Sequence, residues 1–211
     1  MTRRRLSRSF YARAAHEVAP DLLGQVLFRI FPDGSRASVR IVEVEAYGPD
    51  DPASHAFRGE TPRNAVMFGP PGHLYVYFTY GMHHCMNVVT GGVAEGSAVL
   101  LRAAEPLEGE DEMVVRRGRG GRFDLCSGPG RLAQALAVDR RDDGADLVAG
   151  DGLWLERASR AGTIAAGTRV GVHETSRHWR YWLDGSPFVS RGRPGPPTAK
   201  RRTPRARSMT R

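Results

Sequence analysis

Residues 72–87 carry the pattern that most constrains the fold of this chain. Along residues 74–80, two sets of side chains alternate: Leu74, Val76, Phe78 and Tyr80 with Tyr75, Tyr77 and Thr79. A period of two that is rich in aromatic and β-branched residues predicts a β-strand. Gly81 follows at once, so we expect the strand to turn there and a second strand to return as a hairpin.

Tyr80 lies beside this predicted turn, where core packing explains a large ring poorly. A planar ring on a thin β-ribbon is suited to wedging into a stack of nucleic-acid bases. The alternative is that Tyr75, Tyr77 and Tyr80 are half-buried strand aromatics that serve only packing. The pattern leaves both interpretations open.

The clearest further strand covers residues 39–47. Its side chains are expected to alternate between two faces, Val42, Val44 and Ala46 against Ile41, Glu43, Glu45 and Tyr47. Other short strands are predicted at residues 97–102, 153–156, 168–172 and 180–184, and short helices at residues 10–16, 21–28, 105–117 and 131–138. Strands outnumber helices and no internal repeat is present. We therefore predict one α+β domain around a curved, largely antiparallel sheet with a protruding hairpin.

The length of 211 residues fits one domain, which we place at residues 1–190 with residues 1–9 frayed. Residues 191–211 contain eight lysine and arginine side chains and no acid, which accounts for the whole net charge of +8. This segment is rich in proline and poor in large apolar residues, so we predict a disordered basic tail that attracts polyanions. Basic tails also serve solubility or localisation, so the tail alone does not establish a nucleic-acid-binding protein.

Composition also bears on the cellular compartment. No apolar run is long enough to cross a bilayer, and the charged start of the chain has no apolar segment behind it. Cys85 and Cys126 lie far apart outside any CxxC pair, which predicts two buried, reduced thiols and a cytoplasmic protein. Lys200 is the only lysine and lies in the tail, so the body has no lysine amine for Schiff-base chemistry.

Glu43 and Glu45 are the best candidates for acid–base chemistry. On a strand with a rise of about 3.3 Å per residue they share a face, with their side chains roughly 7 Å apart. The more buried carboxylate can serve as a general base, and Tyr47 adds an aromatic platform on the same face. The alternative is a solvated strand face without a function. A carbohydrate hydrolase is a weaker interpretation, because its two acids flank the bond, whereas these approach from one side.

The histidines give weaker signals. His83 and His84 precede Cys85, but neighbours on a strand point to opposite faces, and neither an HExxH motif nor a paired CxxC completes a metal site. His55, in the loop after the strand that carries Glu45, is better placed to line a pocket. Asn87, on the returning strand of the hairpin, could add a hydrogen bond or a steric block.

Seven blocks of sequence occur in order between residues 22 and 190: LLGQVL, IVEVEAYGPDDPASHA, TPRNAVMF, GHLYVYFTYGMHHCMN, AVLLRAAEPLEG, LCSGPGRLAQAL and GSPFVS. Together they resemble the alkyladenine (3-methyladenine) DNA glycosylase family. The resemblance implies a monomeric DNA repair enzyme that flips alkylated or deaminated purines, such as 3-methyladenine, hypoxanthine and ethenoadenine, out of damaged double-stranded DNA. Hydrolysis of the N-glycosidic bond would leave an abasic site, without a metal or organic cofactor.

The resemblance also implies roles for single residues. Glu45 would activate the attacking water, and Arg102 would help to hold that water and the adjacent phosphate. The other roles are assigned by position: Tyr47 on one face of the flipped base, His55 and Tyr77 on the other, Asn87 screening against guanine, Tyr80 filling the gap in the duplex, and Arg63 on the DNA backbone. The loop between Tyr47 and His55 is one residue shorter than is typical of the family.

A non-catalytic DNA- or RNA-binding module is the main alternative. Its strand aromatics would be stacking platforms, and the basic tail would be an electrostatic anchor. Glu45 separates the two hypotheses, because a carboxylate beside a stacking ring repels phosphate and has no use in such a module.

Overall fold

The computed structural model describes residues 5–79, 81–118, 120–159, 162–173 and 177–191. In order, the helices and strands of this part of the chain are α1 (Arg8–Tyr11), α2 (Ala15–Leu22), β1 (Val26–Ile30), β2 (Arg36–Tyr47), β3 (Leu74–Thr79), β4 (His83–Thr90), β5 (Ser97–Glu108), α3 (Glu110–Arg117), α4 (Pro129–Ala135), β6 (Leu153–Glu156), β7 (Ile164–Gly167) and β8 (Arg180–Leu183). Short 3₁₀ turns lie at Ala65–Phe68, Arg122–Asp124 and Arg140–Asp142. None of the helices in these ranges is long and apolar enough to cross a membrane.

All of these strands belong to one curved antiparallel sheet with the order β3-β4-β5-β2-β1-β6, and β8 joins it beside β2 and β7. The central strand is β2. Its first half pairs with β1, its second half pairs with β8, and β5 runs along its other edge. The predicted α+β class with a largely antiparallel sheet is confirmed. So is the hairpin, since β3 and β4 pair from Leu74↔Val88 to Thr79↔His83.

The two faces of β3 contribute to different apolar clusters, as its alternating pattern predicts. Leu74 and Val76 belong to the main core, which α2 and α4 cover by packing on β2, β4 and β5. Tyr75 belongs to a smaller cluster, and Tyr77 packs against it. Burying a large apolar side chain contributes about 1.5–3 kcal/mol, so the many buried apolar side chains of the main core hold the sheet and helices together. The smaller cluster lies where the candidate site forms.

The predicted helix at residues 21–28 is wrong. Helix α2 ends at Leu22, Gly24 takes a positive φ of 84°, and Val26 already begins β1. Leu22, Leu23, Val26 and Leu27 are all buried, and a continuous apolar run of this kind does not distinguish a helix from a buried strand. Pro20, directly before the predicted start, lies inside α2.

Four other local predictions need correction. The helix expected at residues 10–16 is divided into the end of α1 and the start of α2, with residues 12–14 outside both. Residues 105–108 continue β5, and the helix expected from Glu105 begins at Glu110, after Gly109 in the left-handed conformation. The strand expected at residues 168–172 is instead β7, at Ile164–Gly167. Of residues 1–9, expected to be frayed, residues 1–4 lie outside the described part of the chain, whereas Leu6 is buried in the main core. Cys85 and Cys126 are free and buried, as predicted.

Candidate active site

Two buried carboxylates lie in the second half of β2. Glu43 and Glu45 are both 0% exposed, which excludes a solvated strand face at these positions. Both side chains contact Arg102: its Nε donates to Glu43 Oε1 at 3.1 Å, and its Nη1 donates to Glu45 Oε2 at 3.2 Å. The two acids therefore share one face of the strand, as the period of two predicts.

A bulge on β5 puts Arg102 between these carboxylates. Ala103 pairs with Glu43 and Leu101 with Val44, so Arg102 is the extra residue of the ladder. Bulges bend a strand and re-aim side chains, which accounts for the inward direction of this one. Burial opposes its charge, but the neighbouring carboxylates of Glu45 and Glu43 hold the pKa of Arg102 above its ordinary value.

Glu45 accepts two further hydrogen bonds. The Tyr47 hydroxyl donates to Oε2 at 2.9 Å, and the backbone N–H of Val170 donates to Oε1 at 2.7 Å. Burial, and then the adjacent charge of Glu45, raises the pKa of Tyr47 well above its ordinary value. Tyr47 therefore stays a neutral phenol that donates to the carboxylate.

An aromatic pocket begins beside this carboxylate. A cavity of about 70 Å³ is lined by Tyr47, Ala53, His55, Met67, Tyr75, Tyr77, Asn87 and Ala98. A larger cleft of about 620 Å³ shares Tyr47, His55 and Tyr77 with this cavity and adds Glu45 and Arg102 to its walls. Glu45 therefore lies where an aromatic pocket meets an open, polar cleft.

His55 and Tyr77 form one contact pair of the pocket wall. Their ring centroids are 4.5 Å apart at an interplanar angle of 72°, and Tyr75 shares a 3.0 Å hydrogen bond with His55 Nδ1. Burial, with a smaller contribution from the charge of Arg63, lowers the pKa of His55. Burial, and then Cys85, raises the pKa of Tyr77. Both rings are thus uncharged at neutral pH and are suited to contact with a flat base.

The remaining predicted site residues differ in how well the structure places them. Asn87 is 5% exposed, lines the cavity, and donates from Nδ2 to the Tyr75 carbonyl at 3.2 Å. Arg63 is exposed in the turn before Asn64, on the loop that carries His55. Tyr80 lies outside the described residues, so its wedge role stays a prediction.

Local packing shapes the pocket wall. Gly96 has a positive φ of 71°, and a Cβ there would lie 2.7 Å from both the Ala56 Cβ and the Phe68 ring. The loop that carries His55 therefore packs directly on the chain that enters β5.

The sequence His83–Cys85 resembles a metal-binding motif, but the His84 ring lies 5.0 Å from the Phe78 ring. No group of three or more His, Cys, Asp or Glu side chains that could hold a metal ion occurs among the described residues.

A sequence model of the methylpurine-DNA glycosylase family matches residues 9–187. This chain belongs to that family. The resemblance to alkyladenine (3-methyladenine) DNA glycosylases is thereby confirmed, and membership makes the chain a DNA glycosylase for alkylated bases, which acts in base excision repair. Because this is a family of enzymes, membership argues against the alternative of a non-catalytic binding module.

Three relatives illustrate the extent of the similarity. A protein of Streptomyces avermitilis is 51% identical over 205 residues, covering 93% of this glycosylase and 95% of the relative. One of Agrobacterium fabrum is 52% identical over 184 residues, covering 87% and 91%. One of Methanocella arvoryzae is 45% identical over 196 residues, covering 90% and 98%. All three are named as candidate 3-methyladenine DNA glycosylases.

Sequence reasoning missed an ion pair behind Tyr47. Arg169 and Asp51 are buried and form a bidentate ion pair. Arg169 Nη1 donates to Asp51 Oδ2, and Arg169 Nη2 donates to Asp51 Oδ1 at 3.0 Å. The Arg169 guanidinium also lies 4.6 Å from the centre of the Tyr47 ring and donates to the Ala46 carbonyl at 2.9 Å. In this glycosylase the pair supports the aromatic platform and holds the backbone next to Val170. No local pattern points to it, because the partners are 118 residues apart.

Proposed function

We propose that this glycosylase is monofunctional and hydrolyses the N-glycosidic bond of purines flipped out of duplex DNA, using a water activated by Glu45. The substrates would be alkylated or deaminated purines of the 3-methyladenine, hypoxanthine and ethenoadenine class. The enzyme would act as a monomer on damaged double-stranded DNA in the cytoplasm. One observation carries the proposal: Glu45 is buried, held by several donors, and placed where an aromatic pocket meets the open cleft.

Base flipping follows from the position of the carboxylate. A purine inside a duplex cannot reach a buried group, so it must be extruded at a cost of a few kcal/mol. The Tyr47 ring would stack on one face of the extruded base, and His55 with Tyr77 would close the other face. By family resemblance, Tyr80 would fill the gap in the duplex and Arg63 would contact the backbone. Asn87 lines the same cavity, where it would exclude the exocyclic amine of guanine.

The hydrogen bonds of Glu45 leave room for a water. A carboxylate offers about four lone-pair sites. The described residues fill three of them through Tyr47, Arg102 and Val170. A water on the remaining site would be deprotonated by Glu45 as it attacks the sugar, while the negative charge stabilises the oxocarbenium-like transition state. Arg102, which also lines the cleft, would orient this water and the adjacent phosphate.

The scarcity of lysine supports hydrolysis by water without a lyase reaction. A lyase reaction needs an amine that attacks the sugar and forms a Schiff base. Lys200 is the only lysine of the chain, and it lies in the basic tail, outside the described residues. The product would therefore be an intact abasic site.

An excision assay tests the proposed function. The protein is incubated with duplexes that carry one hypoxanthine, ethenoadenine or methyladenine, and abasic sites are then cleaved with alkali. We expect strand breaks only after alkali, and none in the undamaged duplex. Breaks that form without alkali would contradict the monofunctional reaction, and intact lesion strands after alkali would contradict excision.

The basic tail should affect DNA affinity without changing lesion choice. Its eight positive side chains equal the net charge of the chain. Since the slope of log affinity against log salt is about −0.9 per phosphate neutralised, deleting residues 191–211 should weaken non-specific binding and flatten this slope. The relative excision rates of the lesions should stay as in the full chain. An unchanged salt slope would show that the tail does not contact DNA.

A further inference from the structure

Glu43 is a second buried carboxylate, which the proposed reaction leaves unused. Within the described residues, three donors contact it: Arg102 Nε at 3.1 Å, Arg180 Nε at 2.7 Å and the Ser190 backbone N–H at 2.7 Å. Burying an ionised carboxylate is costly, and a well-packed apolar side chain often stabilises a fold as well as a buried ion pair does. A purely structural explanation therefore accounts poorly for a charge at this position.

We propose that Glu43 is a positioning residue of the glycosylase. It holds Arg102 so that the guanidinium gives one hydrogen bond to Glu45 and leaves the rest of that carboxylate open to water. This inference rests on the proposed function of Glu45 as the group that activates the water.

The geometry of the guanidinium supports this role. Arginine prefers to bind a carboxylate as a fork, with two parallel hydrogen bonds to both oxygens. Arg102 is instead divided between two acids, with Nε on Glu43 Oε1 and Nη1 on Glu45 Oε2. Without the charge of Glu43, Arg102 would turn its fork onto both oxygens of Glu45. That pairing would occupy the site that the attacking water needs.

The other two hydrogen-bond donors of Glu43 hold its carboxylate in place, so it cannot move together with Arg102. Arg180 belongs to β8 and Ser190 to the segment after it, and Arg180 Nη2 donates in turn to the Ser190 carbonyl at 3.4 Å. Phe188, two residues earlier, is buried in the main core and fixes this segment. Glu43 is thus held by two donors that do not line the cleft, and it can retain one end of Arg102.

The test is the Glu43→Gln variant, which keeps the size of the side chain and removes its charge. Because misplacement of a catalytic group by about 1 Å can cost on the order of 10²-fold, we expect the single-turnover rate on a hypoxanthine duplex to fall by about that factor. The dissociation constant for the same duplex should change far less than the rate, since Glu43 does not line the pocket and only the phosphate contact of Arg102 would be disturbed. Glu105→Gln is the matched control: Glu105 pairs with Arg40 at 2.8 Å across the same two strands, and its loss should leave the excision rate as in the wild type.

A second variant separates positioning from folding. Glu43→Gln leaves the positive charge of Arg180 uncompensated, whereas Glu43→Gln with Arg180→Gln restores the charge balance. We expect the double variant to regain melting temperature and to remain slow in excision. Recovery of the rate together with the melting temperature would overturn the proposal.

The wild-type protein in the same assay separates this inference from the proposed function. An inactive wild type would refute the proposed function, and the role of Glu43 with it. An active wild type with an equally active Glu43→Gln variant would refute only the role of Glu43.

Discussion

Replacing Glu45 by glutamine is expected to lower the single-turnover excision rate by about 10²–10⁴-fold, the usual contribution of a general base. An amide of the same size cannot take a proton from water, and it provides no negative charge for an oxocarbenium-like transition state. Affinity for lesion DNA should be kept, because the rings that line the pocket are untouched. Rates and dissociation constants measured on one hypoxanthine duplex would show this separation.

Glu105→Gln again provides the comparison for Glu45→Gln, since it removes a paired carboxylate elsewhere on the same sheet. Melting curves for both variants would show whether the loss of rate reflects unfolding. A folded Glu45→Gln protein that excises hypoxanthine at the wild-type single-turnover rate would remove Glu45 from the mechanism.

Asp51→Asn is expected to destabilise the fold by about 3–5 kcal/mol, because it leaves the buried charge of Arg169 without its partner. Both side chains are 0% exposed, so water cannot take the place of the missing carboxylate. Since each kcal/mol lowers the melting temperature of a domain of this size by about 2–4 °C, we expect a decrease of roughly 6–20 °C. Thermal and urea unfolding of the variant and the wild type would measure it.

Asp50, the residue before Asp51, supplies a control variant, because it is also an aspartate paired with an arginine. Asp50 pairs with Arg177 at 2.8 Å, but its side chain is 73% exposed. Asp50→Asn should melt close to the wild type, because exposed ion pairs contribute little. Replacing both members of the buried pair, with Asp51→Leu and Arg169→Met, should recover much of the stability. An Asp51→Asn protein that melts like Asp50→Asn would show that the pair does not hold the fold.

Loss of the ion pair between Asp51 and Arg169 should also disturb the active site. Arg169 stacks on the Tyr47 ring and directly precedes Val170, whose N–H donates to Glu45. A disturbance there displaces the aromatic platform and one donor of the catalytic carboxylate together. Below its melting temperature, Asp51→Asn is therefore expected to excise more slowly than Asp50→Asn.

Local patterns predicted the strands of the site well and the helix boundaries less well. The alternation in residues 74–79 placed Tyr75 and Tyr77 on the pocket face, and the spacing of Glu43 and Glu45 placed both acids on one face. These predictions succeed because side chains of a strand alternate with a period of two, which is a local property. The run of apolar residues around Gly24 had no such period, so tertiary packing decided where α2 ends and β1 begins.

The sequence by itself determined the α+β class, the hairpin, the family, and a strand on which two acids precede an aromatic ring. Only the tertiary structure decided which donors surround those acids. The bulge at Arg102, the N–H of Val170 on Glu45, and the buried pair of Arg169 with Asp51 each depend on strands and loops far apart in the chain. Such contacts leave no periodic trace in the sequence, because they form only when folding buries the charges together and removes the water that would otherwise solvate them.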